Sequence, residues 1–186
     1  MSLQSGMPWD GCVNAAIHAE KPVEATLAFR IPGWTENPSF DVCGKQQEIR
    51  DGYLYVSGVW NDGDVITLDF PMPVRMWNAD TRVRENIGRV AFTRGPITFC
   101  AEEADNGADL HLLTVDGERI VVEKDERFGH ETVRIIVSGH RAEASSGHQL
   151  YRPAQKPVTN EAAIALIPYY AWANRGLGEM SVWLRT

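Results

Sequence analysis

Glu24-Ala25-Thr26-Leu27-Ala28-Phe29-Arg30-Ile31 alternates with period two. Ala25, Leu27, Phe29 and Ile31 fall on one face, and Thr26, Ala28 and Arg30 on the other. That is the pattern of a half-buried strand. Pro32-Gly33 ends it. Outward from this stretch the same grammar repeats. Tyr53-Leu54-Tyr55-Val56 follows the turn pair Asp51-Gly52, and Val65-Ile66-Thr67-Leu68-Asp69-Phe70 follows Asn61-Asp62-Gly63-Asp64. These turn residues tolerate positive φ and bound strands well. Further strands are predicted over residues 89–93, 97–101, 110–115, 120–122, 132–138, 162–167 and 180–185. The longest helix candidate, residues 160–166, is too short and stops at Pro168.

About a dozen short strands with turn signals every 8–12 residues favour sandwiches or barrels. The expected fold is therefore all-β: two packed antiparallel β-sandwich lobes, jelly-roll or Ig-like, with little or no helix. Pro71-Met72-Pro73 punctuates the chain and separates a first lobe, 7–78, from a second, 79–186. A first lobe this small is marginal alone, so the two are expected to pack together. Residues 147–159 carry few apolar side chains and two prolines and read as a long surface loop.

Composition narrows the function. The chain has 186 residues and a net charge of −7. An acidic surface without a Lys/Arg run repels phosphate backbones, which argues against nucleic acid. No apolar stretch approaches the roughly 18–20 residues that span a bilayer, so no membrane partner is expected. Cys12, Cys43 and Cys100 are odd in number and widely spaced. They form neither a disulfide framework nor a zinc motif, and read as partly buried thiols in a reducing compartment, with one bridge between two of them left open. The start, Met1-Ser2-Leu3, has none of the features of a secretion signal. Both points favour the cytoplasm.

No catalytic set assembles at recognisable spacing. Glu102 and Glu103 are adjacent, and neighbours on a strand point to opposite faces, so they make no glycosidase pair across one cleft. Asp62 and Asp64 flank Gly63 and read as a turn rather than a cation loop. His18, His111, His130, His140 and His148 show no metal-binding spacing. There is no nucleophile elbow and no phosphate-binding glycine loop.

Aromatic residues are the remaining lead. The six tryptophans are Trp9, Trp34, Trp60, Trp77, Trp172 and Trp183. Indole faces stack on sugar rings, but they also fill sandwich cores, which is the favoured reading of any single one. The segment Pro168-Tyr169-Tyr170-Ala171-Trp172-Ala173-Asn174-Arg175-Gly176 is different. Its aromatics lie between two predicted strands and need a surface to lie against. Tyr169, Tyr170, Trp172, Asn174 and Arg175 are therefore the candidate interface or ligand residues.

A series of motifs is collinear from about residue 7 to the end. It runs Pro8-Trp9-Asp10-Gly11, Arg30-Ile31-Pro32-Gly33-Trp34, Trp60 with Gly63-Asp64, then Pro71-Met72-Pro73. Gly88-Arg89-Val90-Ala91, Arg94-Gly95-Pro96, residues 167–176, Gly178-Glu179-Met180 and Val182-Trp183 complete it. The ordered set resembles the region after the catalytic barrel in glycoside hydrolase family 127, the β-L-arabinofuranosidase-like proteins. The resemblance implies an N-terminal (α/α)6 barrel followed by two β-sandwich lobes. In the family the barrel supplies a nucleophilic cysteine and a zinc ion held by cysteines and a glutamate. No cysteine of this chain lies in a matching motif, so no catalytic residue, cofactor or metal is assigned to it. The expected role is a non-catalytic accessory region of a larger hydrolase. Its expected partners are the parent's catalytic barrel or another subunit. The alternative is a carbohydrate-binding module using exposed aromatics.

Overall fold

The computed structural model describes residues 1–144 and 150–186. His148 and the start of the expected 147–159 loop lie outside the described residues. Residues 150–158 carry no regular element. The chain divides into two compact units between Pro73 and Val74.

The first unit contains β1 (Ser2–Ser5), β2 (Cys12–Ala16), β3 (Val23–Arg30), β4 (Ser39–Asp41), β5 (Gln46–Arg50), β6 (Tyr53–Trp60) and β7 (Val65–Asp69). They form a four-stranded sheet ordered β1-β2-β7-β4 and a three-stranded sheet ordered β3-β6-β5. Every pairing is antiparallel. Ala15, Val56, Leu54, Ile66, Leu68 and Phe70 form the buried core, against which Ala25, Leu27, Phe29 and Ile31 pack. The decisive alternation of β3 is thus realised. On its other face the Thr26 and Ser57 hydroxyls hydrogen-bond at 2.8 Å.

Two turns show why the sequence closes this way. Arg50 pairs with Tyr53, leaving Asp51-Gly52 as a two-residue hairpin loop. Both residues have positive φ, 51° and 77°, which suits the right-handed twist of the flanking strands. At Gly11 a Cβ would stand 1.8 Å from the Phe70 carbonyl oxygen. Only glycine allows the close approach in which the Phe70 N–H donates to the Gly11 carbonyl at 3.1 Å. Trp60 is buried and donates its indole N–H to the Ala25 carbonyl at 3.0 Å, so its polar atom is satisfied.

The second unit contains β8 (Val74–Asn78), β9 (Arg89–Arg94), β10 (Ile97–Glu102), the single-turn helix α1 (Glu103–Asn106), β11 (Leu113–Asp125), β12 (Thr132–Ala142), β13 (Thr159–Pro168), β14 (Met180–Ser181) and β15 (Leu184–Arg185). Its strand pairings close on themselves in the ring β9-β10-β13-β12-β11-β15. The last link is a parallel pairing of Thr114 with Arg185. Phe92, Phe99, Leu113, Ile135, Ile164 and Leu166 are among its buried side chains. A register shift between Val115 and Ile120 bends β11, as a bulge does where a sheet must curve.

Three boundaries differ from the sequence reading. Residues 74–78 belong to the second unit, because β8 finds its partner in β9. Residues 110–112 form a 3-10 turn, with Asp109 in the left-handed region (φ 61°), and the strand begins at Leu113. The segment 180–185 is two short strands, one on β10 and one on β9.

Candidate functional site

β10 ends Phe99-Cys100-Ala101-Glu102. Phe99 and Ala101 share one face of the strand, and Cys100 and Glu102 the other. Cys100, with Ile167 of β13, forms a small buried cluster that receives Ala171. Phe128, Met180 and Val182 pack around it. Ala171 closes a 3-10 turn, Tyr169–Ala171, that follows Pro168 directly. One small side chain thus sinks inward while Tyr169, Tyr170 and Trp172 stay exposed, at 47%, 52% and 43%.

Charges hold the segment down. The Ala173 N–H donates to Glu102 Oε1 at 3.0 Å. The Arg175 guanidinium donates to both Asp105 oxygens, at 2.8 and 2.6 Å, and to Glu102 Oε2. It also lies 5.4 Å from the Phe128 ring centroid, within cation–π range. Arg127 continues the network, donating to Asp105 at 2.5 Å and to both Asp125 oxygens at 2.8 and 2.7 Å. Glu102 and Asp125 are buried. Asn174 donates its side-chain amide to the Ala171 carbonyl at 3.1 Å. His130 Nε2 lies 3.4 Å from the Tyr170 hydroxyl. Arg127, Phe128, His130, Tyr170, Asn174 and Arg175 line a cleft of about 350 Å³.

The electrostatics are those of a clamp. Burial pulls the Asp105 carboxyl upward, but Arg175 and Arg127 outweigh it and hold it below the usual carboxylate value. Asp125 is held low chiefly by its hydrogen bond from Arg127. Arg175 is raised first by Asp105 and then by Glu102. A general acid needs a carboxyl that keeps its proton near neutral pH. Asp105 and Asp125 are pushed the other way, with arginines on their oxygens. Burial, then the Glu102 charge, pushes the Cys100 thiol up to about 12, away from the thiolate form that a nucleophile needs. Among the described residues no three His, Cys, Asp or Glu side chains are placed to hold a metal ion.

The five candidates named from sequence are brought together, in two roles. Tyr169, Tyr170, Trp172 and Asn174 face outward, and Arg175 turns inward as the anchor. Sequence reasoning missed Glu102, Asp105, Asp125, Arg127, Phe128 and His130. One signal was available: an arginine in an aromatic segment that docks needs a carboxylate, and Glu102 shares a strand face with Cys100. The other tryptophans divide. Trp60 is buried, Trp9, Trp34 and Trp183 are half-buried, and Trp77 is exposed. All three cysteines are free, with Cys43 exposed rather than partly buried.

Residues 74–185 match the glycoside hydrolase family 127 C-terminal domain. Residues 1–72 match the beta-L-arabinofuranosidase, GH127 middle domain. The chain belongs to glycoside hydrolase family 127. It is 36% identical to a non-reducing end beta-L-arabinofuranosidase of Bifidobacterium longum subsp. longum, over 98% of this chain and 30% of that protein. The crystal structure of a family 127 β-L-arabinofuranosidase from Geobacillus stearothermophilus T6 superposes with a TM-score of 0.89 at 38% identity, again over 98% of this chain and 30% of the other. A second family 127 β-arabinofuranosidase structure gives 0.83 at 31% identity. The chain spans about 30% of the length of the relatives it matches. The family 127 motifs now have physical content: Gly11 admits the Phe70 carbonyl, and the 167–176 motif is the clamped aromatic segment.

Proposed function

We propose that this chain is the non-catalytic β region of a β-L-arabinofuranosidase-type glycoside hydrolase, and that residues 169–175 are its docking segment for the rest of the protein or a second subunit. Catalysis, with any zinc it uses, belongs to a barrel outside these residues. One observation carries the reading. Three large aromatics stand exposed on a segment that two arginines and three carboxylates hold in a fixed shape. A rigid aromatic surface is the form that interface anchors take, because little side-chain entropy remains to be lost on binding.

Trp172→Ala in the intact protein is the test. The reading expects a lower melting temperature or a changed oligomeric state by light scattering. An unchanged melt together with an unchanged assembly would sink it. A second reading, carbohydrate binding at the same aromatics, is favoured by the cleft beside Tyr170, where His130 and Asn174 add polar groups. It predicts that Trp172→Ala leaves assembly alone and instead removes a tryptophan fluorescence response to oligosaccharide.

A further inference from the structure

The outward face of β11, β12 and β13 holds a second concavity, of about 750 Å³, that shares no lining residue with the cleft beside Tyr170. Its floor is apolar, with Val121 and Ile136. Its wall is a connected polar set. Ser138 donates its hydroxyl to Asp116 Oδ1 and accepts the Arg119 N–H at 2.9 Å. The Glu118 N–H donates to the same Asp116 oxygen at 2.9 Å. His140 Nε2 lies 3.7 Å from Asp116 Oδ2, and Glu161 lines the far side. The bulge in β11 is what brings Asp116 over the β12 side chains.

Size and charge select the ligand. The volume falls in the range of small-molecule sites, roughly 300–1,000 Å³. Four carboxylates line it, Asp116, Glu118, Glu123 and Glu161, against one arginine, Arg119. Arg134 offsets only Glu123, at 2.7 Å. An excess of negative charge repels phosphates and uronates. Carboxylate acceptors beside histidine and arginine donors, over an aliphatic floor, suit a ring with several hydroxyls on its edge and C–H bonds on its face.

We propose that this groove is a binding site for a neutral oligosaccharide, with hydroxyls on Asp116, His140 and Glu161 and a sugar face on Val121 and Ile136. The choice of sugar rests on reading the whole protein as a glycan-processing hydrolase. The test is an NMR titration of the ¹⁵N-labelled chain with a linear L-arabinose trisaccharide. Saturable shifts at Ile136, Ser138 and His140 are expected. The double variant His140→Ala/Glu161→Ala, which changes only exposed side chains, should bind about tenfold more weakly. Ile136→Lys should abolish the shifts by filling the floor. No shifts at millimolar trisaccharide, shifts confined to residues 169–175, or a response only to a lysine-rich peptide would each overturn the proposal. The hydrolase reading would survive that failure, since Trp172→Ala tests it through assembly.

Discussion

Arg175 shows how one residue sets the shape of a segment. It is one-fifth exposed and spends its donors on two buried or nearly buried carboxylates. Removing one member of such a group strands the others without a partner, which costs about 3–5 kcal/mol. Arg175→Met is therefore expected to lower unfolding free energy by about 3 kcal/mol in urea, and a change under 1 kcal/mol would contradict the clamp. The pH dependence has a definite sign. The folded-state pKa values of Asp105 and Asp125 are depressed. Their contribution is complete above the unfolded carboxyl value near ~3.9 and is lost as pH falls through the lower folded values. The wild-type urea midpoint should owe no change to these two groups from pH 8 to 5 and then fall in acid, with a shallower acid fall in Arg175→Met. At the cysteines, iodoacetamide at pH 8 should label exposed Cys43 and leave Cys100, whose thiol is pushed up to about 12. Mass spectrometry of the labelled peptides reads this directly, and early labelling at Cys100 would mean the cluster under Ala171 opens.

Elements were legible wherever period two met a strong turn signal. β3 and the β5–β6 hairpin follow from alternation and from Asp51-Gly52, because both features are local. Boundaries set by distant partners were not legible. Residues 74–78 look like the tail of the first lobe until β9 claims them, and the break within 180–185 exists because β10 and β9 each take one half. The clamp was hidden for the same reason: Asp105, Asp125 and Arg127 lie 48 to 70 residues from Arg175 in sequence and meet only in the fold. Gly139 is a similar long-range case. A Cβ there would stand 2.2 Å from the Thr114 carbonyl oxygen and 2.9 Å from Ile164 Cδ1. Backbone cannot yield cheaply, so Gly139→Ala should destabilise the second unit by at least about 2 kcal/mol, whereas Gly129→Ala, with open space around it, should owe its cost to backbone conformation alone. Equal melting of the two variants would show that β12 shifts to make room.

At the scale of the whole molecule, each unit has its own buried side chains, a two-sheet sandwich in residues 1–73 and a closed ring in residues 74–186. Both halves match family 127 domains. Cys100 and Glu102 are buried, and Asp105 and Asp125 are paired with arginines, while the aromatic segment after β13 stays exposed. A docking segment must be covered in the intact protein. The most direct measurement is amide hydrogen exchange over residues 167–176, compared between this chain alone and the intact protein. Strong added protection is expected there in the intact protein, above that of exposed turns such as Asp51-Gly52. Equal exchange in the two samples would contradict it.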